Sequence, residues 1–406
     1  MFYYRFDDKL CFSLHEYKDL TNIEEKEARN GDGILYALLE LNPEKSRRSF
    51  CLSEPALLTI KEEGLHLLQL QKRSAYSLPS WLQRKIEVGE VMAVNRAYPN
   101  WKDVFIKKNI KKWRIHLAGL GDVGSTLLMG LRLLGGSCIE SIGIFDRSIE
   151  KSLRWQLEIN QIWGFGEEDY PSIDVLKEES LFECDLFIFS IAARVPPIGE
   201  EGQDVRMVQL EENGKIISSF GKLARSRNYK GIFAVVSDPV DLLCKTLLQS
   251  SNTNEDGHFD FNGLAPEQIR GYGLGVMHAR ALYYAQQHKD THHYQEEGRA
   301  FGPHGEGLVI ADSISRYDMN RSLFLTEKAK TANLEVRKTG FKPFVAPALS
   351  SGALPLIATM EGRWHYSATY MGGVYMGAKN RLRSSGTELE MLDIPPALWE
   401  RLQYTY

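Results

Sequence analysis

Three glycines and one aspartate have the types and the spacing that dinucleotide binding requires. Gly119, Gly121 and Gly124 form the pattern G-x-G-x-x-G, and Asp146 follows the last glycine by roughly 20 residues. The first glycine of such a turn permits a sharp bend, the second lets the backbone approach a pyrophosphate, and the third lets a helix pack on a strand. Free N–H groups at the helix start would bind the phosphates, and the acid would accept hydrogen bonds from ribose hydroxyls.

The elements that must position these residues follow in the order strand, glycine turn, helix, strand. Residues 114–118 form a short apolar run, 125–134 carry leucines at helical spacing, and 142–145 form a second apolar run that ends at Asp146. This order favours a cofactor-binding turn over a purely structural one. The Asp146 carboxylate favours NAD because it would repel a 2′-phosphate, while the neighbouring Arg147 leaves NADP open. The residues assigned to the turn are Gly119, Leu120, Gly121, Asp122, Val123 and Gly124.

The composition is that of an ordinary globular chain. It has 406 residues, of which 43% are hydrophobic and 25% charged, and its formal net charge is −4. Two or three domains are expected at this length, and the charge does not favour nucleic acid or an anionic membrane as a partner. The five cysteines are scattered, and the sequence lacks the features of a signal peptide or a membrane span. We therefore expect a cytoplasmic protein, without a metal site at His292 and His293.

Six stretches, taken in order along the chain, resemble the lactate/malate dehydrogenase family. They are GLGDVGST (its phosphate turn), 185–193 (its fourth strand), Arg206 with 207–213 (the arginine and helix start behind its mobile loop), 237–241 (SDPVD, its S-N-P-V-D turn), 271–280 (GYGLGVMHAR, its G-S-G-T-x-L-D-x-x-R segment) and 302–307 (GPHGEG, its G-x-H-G-[DE] segment). Together they cover roughly residues 113 to 390, with compatible order and spacing.

The resemblance implies an NAD-dependent oxidoreductase that moves a hydride between nicotinamide and C2 of a small-molecule 2-hydroxy or 2-oxo acid. His304 matches the family's proton donor and acceptor, and an imidazole suits this role because it titrates near neutral pH. Arg280 matches the arginine that binds the substrate carboxylate through two parallel bonds. Arg206 matches the loop arginine that polarises the carbonyl when the loop closes. Three further positions in the matching stretches are assigned to cofactor binding: Ser190, Ala192 and Ser237.

Three positions depart from the family's pattern. Asp238 stands where the family has the asparagine that binds the substrate oxygen, Met277 where it has the aspartate that orients the histidine, and Lys342 where it has a specificity threonine or glycine. Without that aspartate, His304 loses the partner that fixes its tautomer. Asp238 could face His304 in its place, or accept a hydrogen bond from a substrate amine or hydroxyl. Lys342 could balance the charge of Asp238 or bind a second acidic group of the substrate.

The expected fold is α/β: a doubly wound parallel sheet of the Rossmann type and an α+β catalytic domain, preceded by a small N-terminal α/β domain. The predicted boundaries are 1–112, 113–275 and 276–406. Strands and helices alternate after residue 113, which predicts a parallel sheet. The near-continuous apolar runs 185–191 and 231–237 predict strands that are buried on both faces.

Smaller expectations concern the loops and the two ends of the chain. We expect a helix in the run ILYALLEL at 34–41 and a turn at 79–83. The segment from Arg194 to Arg206 is several residues longer than is usual in the family. The long final helix of the family is expected to be shortened or missing, since the sequence ends soon after two prolines at 395–396.

Two alternative functions remain open at this point. The chain could bind NAD without efficient catalysis and serve as a sensor, or as an interaction partner through residues 1–112. It could also be an enzyme with changed chemistry on the same fold, such as reductive amination. The resemblance implies a homo-oligomer, although the N-terminal domain and a shortened C-terminus could block the interfaces.

Overall fold

A computed structural model describes the backbone of residues 1–70, 77–106, 110–166, 169–193 and 205–406, without the side chains of 205–209. Within these ranges, the strands form a six-stranded sheet, a nine-stranded sheet and a two-stranded hairpin. Helices alternate with the strands, so the protein is of the α/β class that its sequence predicts. No helix of these ranges is long and apolar enough to cross a membrane.

The six-stranded sheet lies in the N-terminal region and is mixed. Its strands are β1 (Phe2–Phe6), β2 (Lys9–Ser13), β3 (Thr21–Asn22), β4 (Leu35–Leu39), β5 (Ser49–Cys51) and β6 (Val91–Asn95), in the spatial order β3-β1-β2-β4-β6-β5. Strand β4 pairs in parallel with β2 and with β6, and the other pairs are antiparallel. The connections contain the helices α1 (Glu25–Asn30) and α2 (Ser80–Glu87), and short 3₁₀ helices at Pro55–Thr59, Leu65–Leu68 and Trp101–Phe105.

Two predictions for this region are wrong. The run ILYALLEL forms strand β4 instead of a helix, and all five residues of that strand are buried. A strand buried on both faces has no alternation of apolar and polar residues, so a short apolar run can be either a buried strand or a buried helix. The turn predicted at 79–83 is the start of α2, which begins immediately after Pro79. Proline suits this position because its missing N–H would have no partner inside the helix.

The central part of the nine-stranded sheet is the predicted doubly wound parallel sheet. Its strands are β7 (Trp113–Ala118), β8 (Ile139–Phe145), β9 (Ser172–Val175), β10 (Leu186–Phe189), β11 (Ile232–Val235) and β12 (Ile269–Gly271). They lie in the order β9-β8-β7-β10-β11-β12, and all pairs are parallel. The strand order reverses between β7 and β10, and ligands of such sheets bind at the carboxyl ends of the strands beside this point.

Helices cover both faces of this parallel sheet. They are α3 (Asp122–Leu134), α4 (Ile149–Asn160), α5 (Val205–Ser226) and α6 (Val240–Asn252). In β10, Leu186 and Ile188 pack in the same apolar core as α3, whereas Phe187 and Phe189 pack in the core shared with α5 and α6. All four residues are buried, which confirms the strand buried on both faces that the apolar run predicts.

The remaining chain adds helices, a hairpin and three antiparallel strands. Its elements are α7 (Leu274–Ala285), α8 (Tyr294–Glu297), β13 (Arg299–Phe301), β14 (Val309–Ala311), α9 (Met319–Lys338), a π-helical segment (Pro347–Ala353), α10 (Leu354–Met360), β15 (His365–Met371), β16 (Val374–Arg383), β17 (Gly386–Leu389) and α11 (Pro396–Thr405). Strands β15, β16 and β17 continue the nine-stranded sheet beyond β12. The final helix, α11, is present and has 10 residues.

The N-terminal sheet packs against the C-terminal half of the chain. Phe12 and Phe50 belong to one apolar core together with Met371 and Met376 of the extended sheet and Leu402 of α11. Full burial of a Phe, Leu or Met side chain contributes about 1.5–3 kcal/mol to stability. This shared core therefore holds residues 1–112 against the rest of the protein.

Candidate active site

The glycine turn joins β7 to α3 at the carboxyl ends of the parallel strands. Gly119 has φ +96°, and a Cβ atom there would lie 2.8 Å from the backbone nitrogen of Ile191. A Cβ atom at Gly124 would lie 2.0 Å from the carbonyl oxygen of Gly119. A Cβ atom at Gly121 would have no neighbour within 4 Å. The first and third glycines are thus required by the packing of the turn, whereas the second leaves open space in which a phosphate group can approach the backbone.

Helix α3 starts directly at this turn. Gly121 is its N-cap residue and offers no side-chain cap to the first turn of the helix. Lys342, from the segment after α9, places its Nζ 3.3 Å from Oδ2 of Asp122, and both side chains are exposed. The structure therefore brings Lys342 to the glycine turn, and this contact accounts for neither of the two roles considered for it from the sequence.

Asp146 lies at the end of β8 and faces the glycine turn. Its Oδ2 accepts a hydrogen bond of 2.9 Å from the backbone N–H of Leu120 and lies 3.1 Å from Nζ of Lys151. Burial alone would raise the pKa of this carboxyl, but hydrogen bonds from the backbone of Leu120 and Ser148 and from Lys151 outweigh burial and lower the pKa. Asp146 is therefore held as a carboxylate beside the turn, while the neighbouring Arg147 is exposed.

Two serine hydroxyls tie together the carboxyl ends of the parallel strands. The hydroxyl of Ser190 donates to the carbonyl oxygen of Gly119 at 2.7 Å, and the hydroxyl of Ser237 donates to that of Ile191 at 2.7 Å. Ala192 lies between these segments and is exposed. The serines therefore hold the backbone beside the glycine turn in place, and their hydroxyls are engaged within the protein.

One residue that the sequence pattern does not single out connects the two sides of this crevice. Asn213, on α5, is 2% exposed. Its Oδ1 accepts a hydrogen bond of 2.7 Å from the backbone N–H of Ala193, and its Nδ2 donates to the carbonyl oxygen of Asp238 at 2.8 Å. A single asparagine at the end of a matching stretch carries no signal of this role, because both of its partners are backbone groups distant in sequence.

His304 lies in the loop between β13 and β14. Gly302, Gly305 and Gly307 all have positive φ angles, so the loop follows a path that other residues rarely adopt. A Cβ atom at Gly273, which follows β12, would lie 2.9 Å from Cβ of His304. The absence of a side chain at Gly273 therefore lets the His304 loop pack against the edge of the parallel sheet.

The structure pairs His304 with Asp238. The Nδ1 atom of His304 lies 3.0 Å from Oδ1 of Asp238, in the turn that follows β11. The opposite ring nitrogen, Nε2, is buried and has no hydrogen-bond partner among the described residues. Because a carboxylate only accepts hydrogen bonds, Nδ1 carries the proton in this pair, and Nε2 is the nitrogen that can take up or release a proton.

Met277 does not contribute to this pair. It is 3% exposed and belongs to an apolar core with Leu274, Ala281 and Tyr294. The carboxylate beside His304 therefore comes from the turn after β11, whereas the position on α7 that matches the family's aspartate is apolar.

Arg280 lies on α7, one turn after Met277. Its Nη1 donates to the carbonyl oxygen of Ala329 at 3.4 Å and lies 3.7 Å from Sδ of Met277. Burial lowers the pKa of Arg280, and the negative charge of Asp238 opposes this effect. Arg280 forms no ion pair with a carboxylate of the described residues, which leaves its charge available to an anionic ligand. Arg206 is the second residue of α5, and its side chain lies outside the described part of the structure.

Asp241, which like Asp238 follows β11, has a raised pKa. Burial raises the pKa of Asp241 to about 7, while the charge and the backbone N–H of His304 oppose the rise. Asp241 is the second residue of α6. The His304 loop thus faces two carboxyl groups, one paired with the imidazole and one that titrates near neutral pH.

The two histidines considered as metal ligands contact other protein groups. His292 Nε2 lies 3.0 Å from the carbonyl oxygen of Gln286, and His293 Nε2 lies 3.2 Å from Oδ2 of Asp312. In the part of the chain that the structure describes, no group of three or more His, Cys, Asp or Glu side chains is arranged to hold a metal ion. The five cysteines are buried and free.

Comparison with curated proteins gives lactate and malate dehydrogenases as relatives. The chain is 25% identical over 327 residues to L-lactate dehydrogenase 2 of Peribacillus psychrosaccharolyticus, covering 74% of this chain and 94% of the relative. It is 22% identical over 275 residues to malate dehydrogenase of Aliarcobacter butzleri, covering 64% of this chain and 81% of the relative. No family model matches the chain.

Solved structures agree on the fold. The minor L-lactate dehydrogenase of Enterococcus mundtii, in its ligand-bound form, superposes with a TM-score of 0.58 at 19% identity, over 73% of this chain and 95% of that one. Malate dehydrogenase of Archaeoglobus fulgidus, in complex with NADH, gives a TM-score of 0.56 at 17% identity, over 72% and 95% of the two chains. At these identities, the superpositions show a shared fold.

Proposed function

Since the chain is a divergent relative of the lactate/malate dehydrogenases, we propose that it is an NAD-dependent oxidoreductase acting on a 2-hydroxy or 2-oxo acid. The observation that carries the proposal is the contact between His304 and Asp238 through Nδ1. The other ring nitrogen, Nε2, is buried and has no hydrogen-bond partner among the described residues. A buried imidazole nitrogen with its opposite nitrogen bound to a carboxylate is the arrangement that proton transfer to a substrate oxygen requires.

The proposed cofactor site consists of the glycine turn and Asp146. The open space at Gly121 admits the pyrophosphate, the N–H groups at the start of α3 bind it, and the Asp146 carboxylate accepts hydrogen bonds from the ribose. Because a carboxylate repels a 2′-phosphate, we propose NAD over NADP. When bound, NAD⁺ would accept the hydride in the oxidation of the hydroxy acid, and NADH would donate it in the reverse direction.

The proposed chemistry of the side chains begins with oxidation of the hydroxy acid. Nε2 of His304 takes the proton of the C2 hydroxyl as the hydride leaves C2, and Asp238 stabilises the resulting imidazolium through Nδ1. In the reverse direction, the imidazolium returns that proton to the oxygen of the 2-oxo acid. Arg280 binds the substrate carboxylate through two parallel hydrogen bonds, and Arg206 polarises the C2 carbonyl.

The boundaries 1–112, 113–275 and 276–406 are retained in this proposal, as are a homo-oligomer and a cytoplasmic location. N-terminal residues that pack on β15, β16 and β17 change the surface available for assembly. A light-scattering mass of the full chain would test the oligomer, and a monomer would contradict it.

A changed reaction is the second candidate, because Asp238 adds a negative charge where the family has a neutral amide. Such a charge would favour a substrate amine, and with it ammonium-dependent reduction of a 2-oxo acid. The sensor is less well supported, since the contact between Asp238 and His304 restores a carboxylate partner that a protein without catalysis would not need.

The test is consumption of NADH by the full chain against a panel of 2-oxo acids, with and without ammonium. We expect turnover on at least one acid, lost in His304→Ala and retained in the control His292→Ala, whose Nε2 lies 3.0 Å from the backbone carbonyl oxygen of Gln286. Turnover only with ammonium would select the second candidate. Binding of NADH without turnover on any acid would contradict both and favour the sensor.

A further inference from the structure

Lys342 lies at the glycine turn, although it stands 220 residues further along the chain than the residue it contacts. Its Nζ lies 3.3 Å from Oδ2 of Asp122, the first residue of α3. Asp122 directly follows Gly121, where a Cβ atom would have no neighbour within 4 Å. Among the ion pairs between described residues, Asp122 takes part in this one alone. The proposed reaction gives Lys342 no role, so its position beside this open space requires a reason.

The connection that carries Lys342 is short and is held at both ends. Gly340, just after α9, has φ +87°, and its N–H donates to the carbonyl oxygen of Arg337 at 2.9 Å. At the other end, the N–H of Ala348 donates to the carbonyl oxygen of Phe344 at 3.0 Å, where the π-helical segment begins. The backbone of Lys342 is therefore fixed between the end of one helix and the start of the next.

The π-helical segment packs closely along α3. A Cβ atom at Gly352 would lie 2.6 Å from Cδ1 of Leu127, and one at Gly130 would lie 2.7 Å from Cβ of Ala353. The two glycines thus allow a close approach from each side of the contact. The chain after α9 runs from Lys342, beside the start of α3, to Ala353, further along the same helix. This packing places the ammonium group of Lys342 at the end of α3 where the phosphates are proposed to bind.

Two negative groups would meet at the start of α3 when a dinucleotide binds. The free N–H groups there are the proposed binding site of the pyrophosphate, and the carboxylate of Asp122 belongs to the same turn of the helix. Like charges so close together repel one another. An exposed ion pair contributes little to stability, so Lys342 can leave Asp122 for a stronger acceptor at small cost. Its flexible stem and three N–H donors suit a phosphate oxygen.

We infer that Lys342 binds the pyrophosphate of the dinucleotide, and that it leaves Asp122 when the cofactor is bound. This inference rests on the proposed function, since it needs the cofactor at the glycine turn. In the bound state, the ammonium group donates to a phosphate oxygen and offsets the negative charge of Asp122. The lysine then serves the cofactor, although it stands where the resembled family has a residue that selects the substrate.

The test is fluorescence titration of the full chain with NADH at low ionic strength. Loss of a charged contact to phosphate in Lys342→Gln should raise the dissociation constant about 10-fold, whereas Lys342→Arg keeps the charge and should stay near the wild type. Added salt should shrink the difference, because it screens exposed charges. Lys338→Gln is the matched control, since Lys338 is also an exposed lysine that pairs with one carboxylate, that of Glu335.

Two further comparisons separate a phosphate contact from other roles of Lys342. ADP-ribose carries the pyrophosphate without nicotinamide, so its ability to displace NADH should weaken by the same factor in Lys342→Gln. The loss of affinity should also persist when Lys342→Gln is made in an Asp122→Asn background. There the carboxylate is absent, so neutralisation of Asp122 can no longer explain any effect of the lysine.

Three outcomes would overturn the inference. A loss that vanishes in the Asp122→Asn background would mean that Lys342 only neutralises Asp122. A loss for NADH without one for ADP-ribose would place the lysine at the nicotinamide. NADH affinity that is unchanged in Lys342→Gln would remove the contact while leaving the proposed cofactor site intact. A wild type that binds no NADH would instead contradict the proposed function and this inference together.

Discussion

The cofactor side and the acid–base side of the candidate active site differ in how their residues are brought together. The cofactor side is one continuous segment, in which the glycine turn, α3 and β8 deliver Gly119, Gly121 and Asp146 to the same strand ends. The acid–base side draws Asp238 and His304 from segments far apart in the sequence. The first matches the resembled pattern at its three glycines and its aspartate, whereas in the second the structure places Asp238, from the turn after β11, beside His304.

This difference separates a site fixed by backbone contacts from a site that needs only a suitably placed side chain. The glycine turn is fixed by contacts of the backbone, since a methyl group at Gly124 would collide with the carbonyl oxygen of Gly119. The orientation of His304 requires only a carboxylate oxygen within hydrogen-bonding distance of Nδ1. In this protein the turn after β11 supplies that oxygen through Asp238, and Met277 on α7 belongs to an apolar core.

The largest effect should follow from removing the carboxylate on the acid–base side. In Asp238→Asn, the amide no longer stabilises the imidazolium, so kcat should fall by about 10²- to 10⁴-fold, while the affinity for NADH stays unchanged. Steady-state kinetics and NADH fluorescence titration separate the two quantities. The exposed loop residue Asp256 offers the control Asp256→Asn, which should match the wild type. An unchanged kcat in Asp238→Asn would show that this carboxylate has not taken over the role.

On the cofactor side, Asp146→Asn should weaken NADH binding and leave acid–base chemistry intact. A hydrogen bond to a charged group contributes about 1.5–3 kcal/mol, so the dissociation constant for NADH should rise by roughly 10- to 100-fold. The affinity for NADPH should fall less, because the repulsion of the 2′-phosphate is removed as well. Titration of both nucleotides measures the ratio. A proportional loss for both would argue against a contact between Asp146 and the ribose.

The two glycines of the turn distinguish ligand contact from structural packing. Gly121→Ala places a methyl group in open space, so the free protein should keep its stability while the dissociation constant for NADH rises by about 10-fold. Gly124→Ala should destabilise the free protein by about 1–3 kcal/mol or more, because its Cβ would overlap the turn. Thermal unfolding without ligand and NADH titration give both values. Equal losses of stability in the two variants would mean that both glycines serve the packing of the turn.

The last prediction concerns stability in place of binding or catalysis, namely how Asp241 makes the stability depend on pH. Its pKa is about 7 in the folded state, against an ordinary value near 3.9 when unfolded. The folded protein therefore binds the extra proton between these values, and its stability decreases as pH rises from about 4 to about 7. The free energy of unfolding falls by at most ~1.4 kcal/mol for each pH unit in this window. Asp241→Asn removes this loss.

Urea unfolding at several pH values should show Asp241→Asn gaining stability relative to the wild type across that window. Above it, the difference should become constant. A difference that is the same at both ends of the window would mean that the folded and unfolded states titrate alike.

The sequence predicted the parallel sheet and the position of the glycine turn because each depends on neighbouring residues. Apolar runs such as β10 and glycines at fixed spacing are local signals, and the structure places both as expected. The helix predicted for β4 is wrong because a five-residue buried run carries no period. Local pattern also could not show that the N-terminal sheet shares its core with β15, β16 and α11.

The acid–base side was predicted only in part for a similar reason. The resemblance singled out His304 and Asp238 separately, and their approach was one of two possibilities left open. Asn213 connects two backbone groups, those of Ala193 and Asp238. Backbone partners leave no mark on the types of residues in the sequence, so this role could not be predicted. The position of Lys342 against Asp122 depends on the path of the segment after α9, which side-chain chemistry does not determine.

The most direct test of the proposed acid–base pair is a double-mutant cycle between Asp238 and His304, measured as kcat/KM on the best substrate of the panel. If Asp238 acts through the imidazole, Asp238→Asn should cause a large loss in the wild type and almost none in a His304→Gln background. Losses that multiply in the double variant would contradict the pairing, because they would mean that Asp238 contacts the substrate independently of His304.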